Sequence, residues 1–236
     1  MPKVIAVLGV GPGLGLSIAR RFGHEGFTTA LVSRTDTRHA DYRSSLTGVT
    51  THTYAADVTD EAQLTAVLAR ITAEAGEIDT VYFGPADASG PGITPLTEAG
   101  ADAVRGPFES IVVPAARLVE KVLPGMLKRG SGALLFAGGL SGKYPMPMLG
   151  TLAPASAALR MYVLTLHAAL RERGVYAGTL TIGGLIDRGD IHRVFTARDH
   201  GFTPGVLNPD DIAEKAWEMY VERREAEAEF TAIAAV

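Results

Sequence analysis

Short β-branched or apolar runs alternate with amphipathic stretches from one end of this chain to the other. That alternation restricts the fold to a parallel sheet with helices packed on both faces. "KVIAVLG" (3–9) reads as a strand buried on both sides. "TTALVS" (28–33), "THTYAA" (51–56), "IDTVYF" (78–83), "GALLFAG" (132–138) and "YAGTLTI" (176–182) repeat the pattern, and "EFTAIAA" (229–235) is predicted to add a last short strand. Helices fill the intervals. "LSIARRFGHEG" ends near Gly26, and between Asp60 and Gly76 the residues Leu64, Val67, Leu68 and Ile71 recur at helical spacing. Residues 107–129 are a long apolar segment with Pro114 and Pro124 as irregularities, and 153–173 form a helix stopped by Gly174. "NPDDIAEKAWEMYV" (208–221) opens with Asn as N-cap, Pro at the first helical position and acids in the first turn. The expected fold class is α/β, a doubly wound parallel sheet of about seven strands.

Several function classes fall away on composition. The 236 residues show no composition break and no solenoid-length repeat, so one domain is expected over 1–236. The net charge is -4 with Lys and Arg scattered, which gives no reason to expect nucleic acid or an acidic membrane as partner. There is no cysteine, which removes disulfides, thiolate metal sites and cysteine nucleophiles. The histidines at 24, 39, 52, 167, 192 and 200 lack metal-ligand spacing, so no metal is expected, and there is no Gly-x-Ser-x-Gly elbow. The first apolar run breaks at glycine, too early for a signal segment or a membrane span, and a soluble cytoplasmic protein is expected. Residues 184–207, "GLIDRGDIHRVFTARDHGFTPGVL", have no periodicity and are expected to form a substrate lid.

"LGVGPGLG" (8–15) lies between the first strand and the first helix, where backbone N–H groups and a helix N-terminus make an anion site. G-x-G-x-x-G fails because Leu14 takes the third glycine position, and no Gly-Lys-Ser/Thr follows to make a P-loop. G-x-x-x-G-x-G fits, on Gly9, Gly13 and Gly15. That spacing resembles the short-chain dehydrogenase/reductase family. The resemblance runs on through "ADVTD" (56–60), "LPGMLKRGSGALLF" (123–136) and "NPDDIA" (208–213). It implies a Rossmann-like domain and hydride transfer between a nicotinamide dinucleotide and a carbonyl or alcohol. It also implies that Gly9, Pro12, Gly13, Leu14 and Gly15 hold the dinucleotide, with Asp57 and Val58 at the adenine and Gly84 and Gly183 completing the cleft. At the end of strand two an NAD enzyme places an acid. Here Ser33, Arg34 and Thr35 stand there, a set that suits a 2′-phosphate, and NADP(H) is the expected cofactor.

The family works with a Ser, a Tyr and a Lys, usually supported by an Asn. In "FAGGLSG" (136–142), Gly142 fixes the register and puts the serine position on Gly139. The tyrosine position falls on Leu152 and the lysine position on Ser156, and "AAL" (157–159) then agrees with the family's Lys-Ala-Ala-Leu. The Asn position falls near Ser110 or Ile111, the family's Asn-Asn-Ala-Gly has become "FGPA" (83–86), and its Pro-Gly has become Ile182-Gly183. No catalytic residue is therefore assigned. Ser141 and Tyr144 follow strand five, so Tyr144, with Lys143 beside it, is either a displaced acid or a cleft-wall residue. Tyr162 belongs to core or subunit interface, and Arg160 to a ribose, solvent or an interface. His192 and His200 in the lid are the histidines placed to approach a substrate, and Asp187 and Asp190 beside them read equally well as solvated. Three functions stay open: a divergent reductase of a small molecule; a non-catalytic NADP-binding sensor or partner of an active paralogue; and a redox-neutral isomerase or dehydratase. The segments 107–129 and 153–173 are apolar around most of their circumference. The resemblance implies that they build a homodimer or homotetramer.

Overall fold

The computed structural model describes residues 2–86, 93–197 and 204–232. Seven parallel strands form the central sheet: β1 (Val4–Leu8), β2 (Thr28–Ser33), β3 (Thr51–Ala55), β4 (Ile78–Phe83), β5 (Gly132–Gly139), β6 (Val175–Gly183) and β9 (Glu227–Thr231). Their order is β3-β2-β1-β4-β5-β6-β9. The chain winds outward from β1 to β3, returns to the other side of β1 and winds outward again, which is the doubly wound α/β plan. All five residues of β1 are buried, as a β-branched run covered on both faces requires.

The helices form two layers. One face carries α1 (Leu14–His24), α2 (His39–Ser45) and α8 (Pro209–Glu222), packed on Ile5, Val7, Leu31 and Tyr82. Phe22, Phe27, Trp217 and Tyr220 knit that layer together edge to face. The other face carries α3 (Glu61–Glu74), α5 (Val113–Arg129) and α6 (Leu152–Leu170) over Ala6, Leu8, Val81, Leu134 and Phe136. A short pair, β7 (Leu185–Ile186) and β8 (Val206–Leu207), stands apart from the main sheet. Among the described residues no helix is long and apolar enough to cross a membrane.

Four sequence expectations change. The aperiodic segment 184–207 contains β7, β8 and a helix, α7 (Asp190–Thr196), which buries no residue and so shows no apolar stripe; residues 198–203 lie outside the described residues. α2, and α4 (Ala101–Pro107), were not legible for the same reason, since α2 buries only His39 and Tyr42 and α4 buries none. Pro124 does not interrupt α5, and Pro114 lies in its first turn. The irregularity precedes Pro114, where Phe108–Val112 widen into a π-helical turn. Pro114 has no N–H to donate and its ring crowds the carbonyl four residues back. The last strand begins at Glu227, two residues early, because Glu227 is fastened to Arg160 and Thr181; residues 233–236 lie outside the described residues.

Candidate functional site

The winding of the chain reverses between the parallel strands β1 and β4, and their carboxyl ends open the crevice where α/β folds bind ligands. Gly9 leaves β1 at a φ of +86°, and both its N–H and that of Val10 donate to the Val32 carbonyl, each at 3.0 Å. The Gly84 N–H donates to the Leu8 carbonyl at 3.0 Å, so the chain after β4 lies against the glycine turn. Gly13 is the N-cap of α1, and no side chain caps that helix. The N–H groups at its start have no carbonyl behind them within the helix. Pro12 is half-buried beside them, while Leu14 and Gly15 are buried, Leu14 anchoring the turn in the α1 core. The first turn of α1 thus offers bare donors and a positive dipole end to an anion.

The end of β2 forms the next wall. The Ser33 hydroxyl lies 2.9 Å from the Thr35 carbonyl and 2.8 Å from His39 Nε2. His39 is buried, and that burial holds its imidazole below the usual pKa. Arg34 and Thr35 are exposed. Arg38, half-buried, extends its guanidinium to Asp190 at 2.7 Å. Asp57 has its carboxylate turned onto the N–H and hydroxyl of Thr59, at 2.9 and 2.7 Å, and Val58 is buried under α3. Gly183 closes β6, its carbonyl accepting from the Ala232 N–H at 2.8 Å, with Leu140 packed where a side chain would start.

At the end of β5 the geometry follows the register set by Gly142. A Cβ there would fall 2.6 Å from the Ser156 carbonyl, so only glycine lets this turn lie on α6. The point where a Gly139 side chain would begin is 3.3 Å from Ser156 Oγ and 3.4 Å from Ser141 Oγ. Ser141 Oγ is buried without a hydrogen-bond partner, and Leu152 is half-buried in the first turn of α6. Tyr144 is 47% exposed with its hydroxyl 3.5 Å from Glu229, to which Lys143 is ion-paired at 2.6 Å. Lys143 and Tyr144 are thus both directed at β9. Arg160 grips Glu227 with two bonds of 2.6 and 2.7 Å and is largely withdrawn from solvent. Tyr162 packs partly buried against the α3–α5–α6 core. At the Asn position, Ser110 donates to the Pro107 carbonyl and Ile111 packs on the core.

The segment after β6 crosses the glycine turn. A Cβ on Gly13 would lie 3.1 Å from Gly189 Cα and Ile186 Cγ2 and 3.2 Å from the Asp187 carbonyl. Arg188 pairs with Asp210 at 2.7 Å, and Asp190 holds Arg193 at 2.9 Å besides Arg38. Asp190 is therefore in an ion-paired network rather than solvated. His192 sits 3.5 Å from Asp187, and His200 lies outside the described residues. Sequence reasoning missed Arg38 and His39, which carry no motif; a basic and an aromatic side chain within six residues of strand two were the available signal. Among the described residues no group of His, Asp and Glu gathers as a metal site.

The family model for short chain dehydrogenases matches residues 3–187, most of the chain. This chain belongs to the short-chain dehydrogenase family. Human 17-beta-hydroxysteroid dehydrogenase type 1 is 29% identical over 157 residues, 66% of this chain and 44% of the human one, so the chain spans under half of that relative's length. The NADP-dependent 3-hydroxy acid dehydrogenase of Escherichia coli is 24% identical over 220 residues, 91% of this chain and 87% of the relative. An alcohol dehydrogenase from the archaeon Thermococcus sibiricus, solved with 5-hydroxy-NADP, superposes with a TM-score of 0.78 at 20% identity, covering 100% of this chain and 99% of that one. The glycine turn lies between β1 and α1, and Gly139 ends β5 while Leu152 and Ser156 stand in the first two turns of α6.

Proposed function

We propose that this short-chain dehydrogenase binds NADP(H) and, where active, acts as a divergent oxidoreductase on a carbonyl or hydroxyl group of a small molecule in the cytoplasm. The observation that carries the proposal is the uncapped first turn of α1, opening on glycines at the point where the winding of the chain reverses. Its N–H groups at Gly13, Leu14 and Gly15, with Gly9 and Pro12 shaping the turn, would hold the diphosphate. Ser33, Arg34 and Thr35 would take the 2′-phosphate, Asp57 and Val58 the adenine, and Gly84 and Gly183 would flank the nicotinamide half. The E. coli relative's NADP dependence and the NADP derivative in the archaeal structure support that choice of nucleotide. When bound, NADP(H) supplies or accepts a hydride.

The chain's own groups at Gly139 are the hydroxyls of Ser141 and Ser156. Either can hydrogen-bond a substrate oxygen, but the Lys143 ammonium that follows Ser141 is paired with Glu229, which leaves it no role in making either hydroxyl an acid at neutral pH. General acid catalysis is typically worth about 10²–10⁴ in rate, so turnover of simple ketones and aldehydes is expected to be slow by about that factor. The same residues favour a second reading, a non-catalytic NADP-binding sensor or partner of an active paralogue. Fluorescence titration is expected to show NADPH binding about ten-fold or more tighter than NADH, since a charge-assisted phosphate contact contributes roughly 1.5–3 kcal/mol. Equal affinities would remove the NADP assignment. Nicotinamide absorbance with a carbonyl panel then separates the readings: slow oxidation marks the reductase, none marks the binding protein, and product without absorbance change marks a redox-neutral enzyme.

A further inference from the structure

Within the strap 186–190, Ile186, Asp187 and Gly189 lie so close to Gly13 that a single methyl group there would touch them. A diphosphate held by the first turn of α1 and this strap would claim the same space. The strap is tied at both ends. Arg188 reaches Asp210 at the start of α8, a carboxylate that also accepts from Ser17 of α1 at 2.7 Å. Asp190 reaches Arg38 across the mouth of the crevice.

Arg38 stands in the corner that the end of β2 defines. His39, its neighbour, puts its ring on Ser33 Oγ, so Arg38 lies on the short connection that leaves Ser33 for α2. A guanidinium pairs with a carboxylate and with a phosphate through the same N–H edges. The Asp190 carboxylate on Arg38 therefore stands where a phosphate oxygen would. It also has a second cation to fall back on, Arg193 one turn along α7 at 2.9 Å, so releasing Arg38 does not strand it.

We infer that Arg38 is a further 2′-phosphate ligand and that Asp190 is its built-in competitor, latching the strap over the glycine turn until a 2′-phosphorylated dinucleotide takes the guanidinium. The inference rests on the NADP(H) proposal. Any dinucleotide must lift the strap and break the pair. Only one with a 2′-phosphate gives Arg38 a new partner. The latch thus weakens binding of both nucleotides while the phosphate contact restores only NADPH.

Two variants titrated with NADPH and NADH at low ionic strength test this. Half-exposed ion pairs contribute about a two- to five-fold effect on an equilibrium, and salt should shrink it. Asp190→Asn is expected to tighten both nucleotides by about that factor. Arg38→Gln is expected to act with opposite signs, tightening NADH, because the latch is gone, and weakening NADPH. An arginine that only binds phosphate would leave NADH unchanged in Arg38→Gln, and a pair that only stabilises the fold would weaken both nucleotides in both variants; either result overturns the latch. Wild-type binding of NADPH with Asp190→Asn indistinguishable from it overturns the latch alone. Nucleotide binding by Asp190→Asn but not by the wild type supports it. No binding by any of the three proteins removes the coenzyme proposal and the latch together.

Discussion

A methyl group added at Gly9 would fall 2.5 Å from the Pro85 backbone, in a residue whose φ is +86°. Both facts follow from the position: the chain must turn sharply off β1 and still leave room for the segment after β4. Gly9→Ala is therefore expected to lose about 1–3 kcal/mol from the backbone conformation alone, with the clash added. In a chain of this size each kcal/mol lowers Tm by about 2–4 °C, so calorimetry should show a clear drop; an unchanged Tm would mean that the turn yields without cost. At this scale the sequence was informative where one residue type has one reason to be present. Gly9, Gly13 and Gly142 could be picked out by their spacing, and at Gly9 and Gly142 the backbone beside them leaves no room for a side chain, while Leu152 and Ser156 followed because Gly142 fixed the count to them. Arg38 and Asp190 could not, since they are 152 residues apart and nothing local distinguishes either from a surface charge.

Among the elements, β9 shows how an edge strand is attached when it brings little apolar surface. Glu227 is held by Arg160 of α6 and by the Thr181 hydroxyl of β6 at 2.6 Å, and the Arg160 and Glu227 side chains are only 21% and 14% exposed. The guanidinium's hydrogen bonds hold the Glu227 carboxyl below its ordinary value of 4.5. A depressed carboxylate stabilises the fold above the unfolded value and loses that contribution as pH falls through the folded one. Arg160→Leu should leave a mostly buried carboxylate unpaired and cost on the order of 2–3 kcal/mol, measured by urea unfolding at neutral pH. Its stability should also fall less steeply below pH 4.5 than that of the wild type. A variant as stable as the wild type at neutral pH would show that the pair only offsets its own desolvation. β1, β2, β4, β5 and β6 were legible because strands covered on both faces need little else, and β3, half-covered at the other edge, showed as a β-branched run with Tyr54 buried. β9 was placed late because its charged start looks like solvent-facing chain until Arg160, 67 residues away in sequence, is brought against it.

For the whole molecule, the helical layer of α5 and α6 decides whether the chain is alone in solution. Met161 is 58% exposed and Val113 38%, while Leu164, Leu166 and Tyr162 are only partly covered. A helix face of that composition gains by meeting another, and light scattering at micromolar concentration is expected to give a dimer or tetramer. A particle of 24.8 kDa would show instead that this surface stays in water. The doubly wound plan was legible from the alternation of elements alone, whereas the strap was not, because a short helix that buries nothing leaves no periodicity to read.

The position of β1 also sets the order in which the molecule can be made. Val4–Leu8 is made before either of the strands, β2 and Ile78–Phe83, that flank it in the finished sheet. More than seventy residues of synthesis separate Val4 from its partner Ile78. Through that interval the strand "VIAVL" has an open edge whose N–H and C=O groups invite any passing extended segment. Parallel pairings of such long separation form slowly, and the nascent chain is exposed to mis-pairing until β4 arrives. A strand buried along its whole length in the fold thus completes its pairing only once β4 has been made.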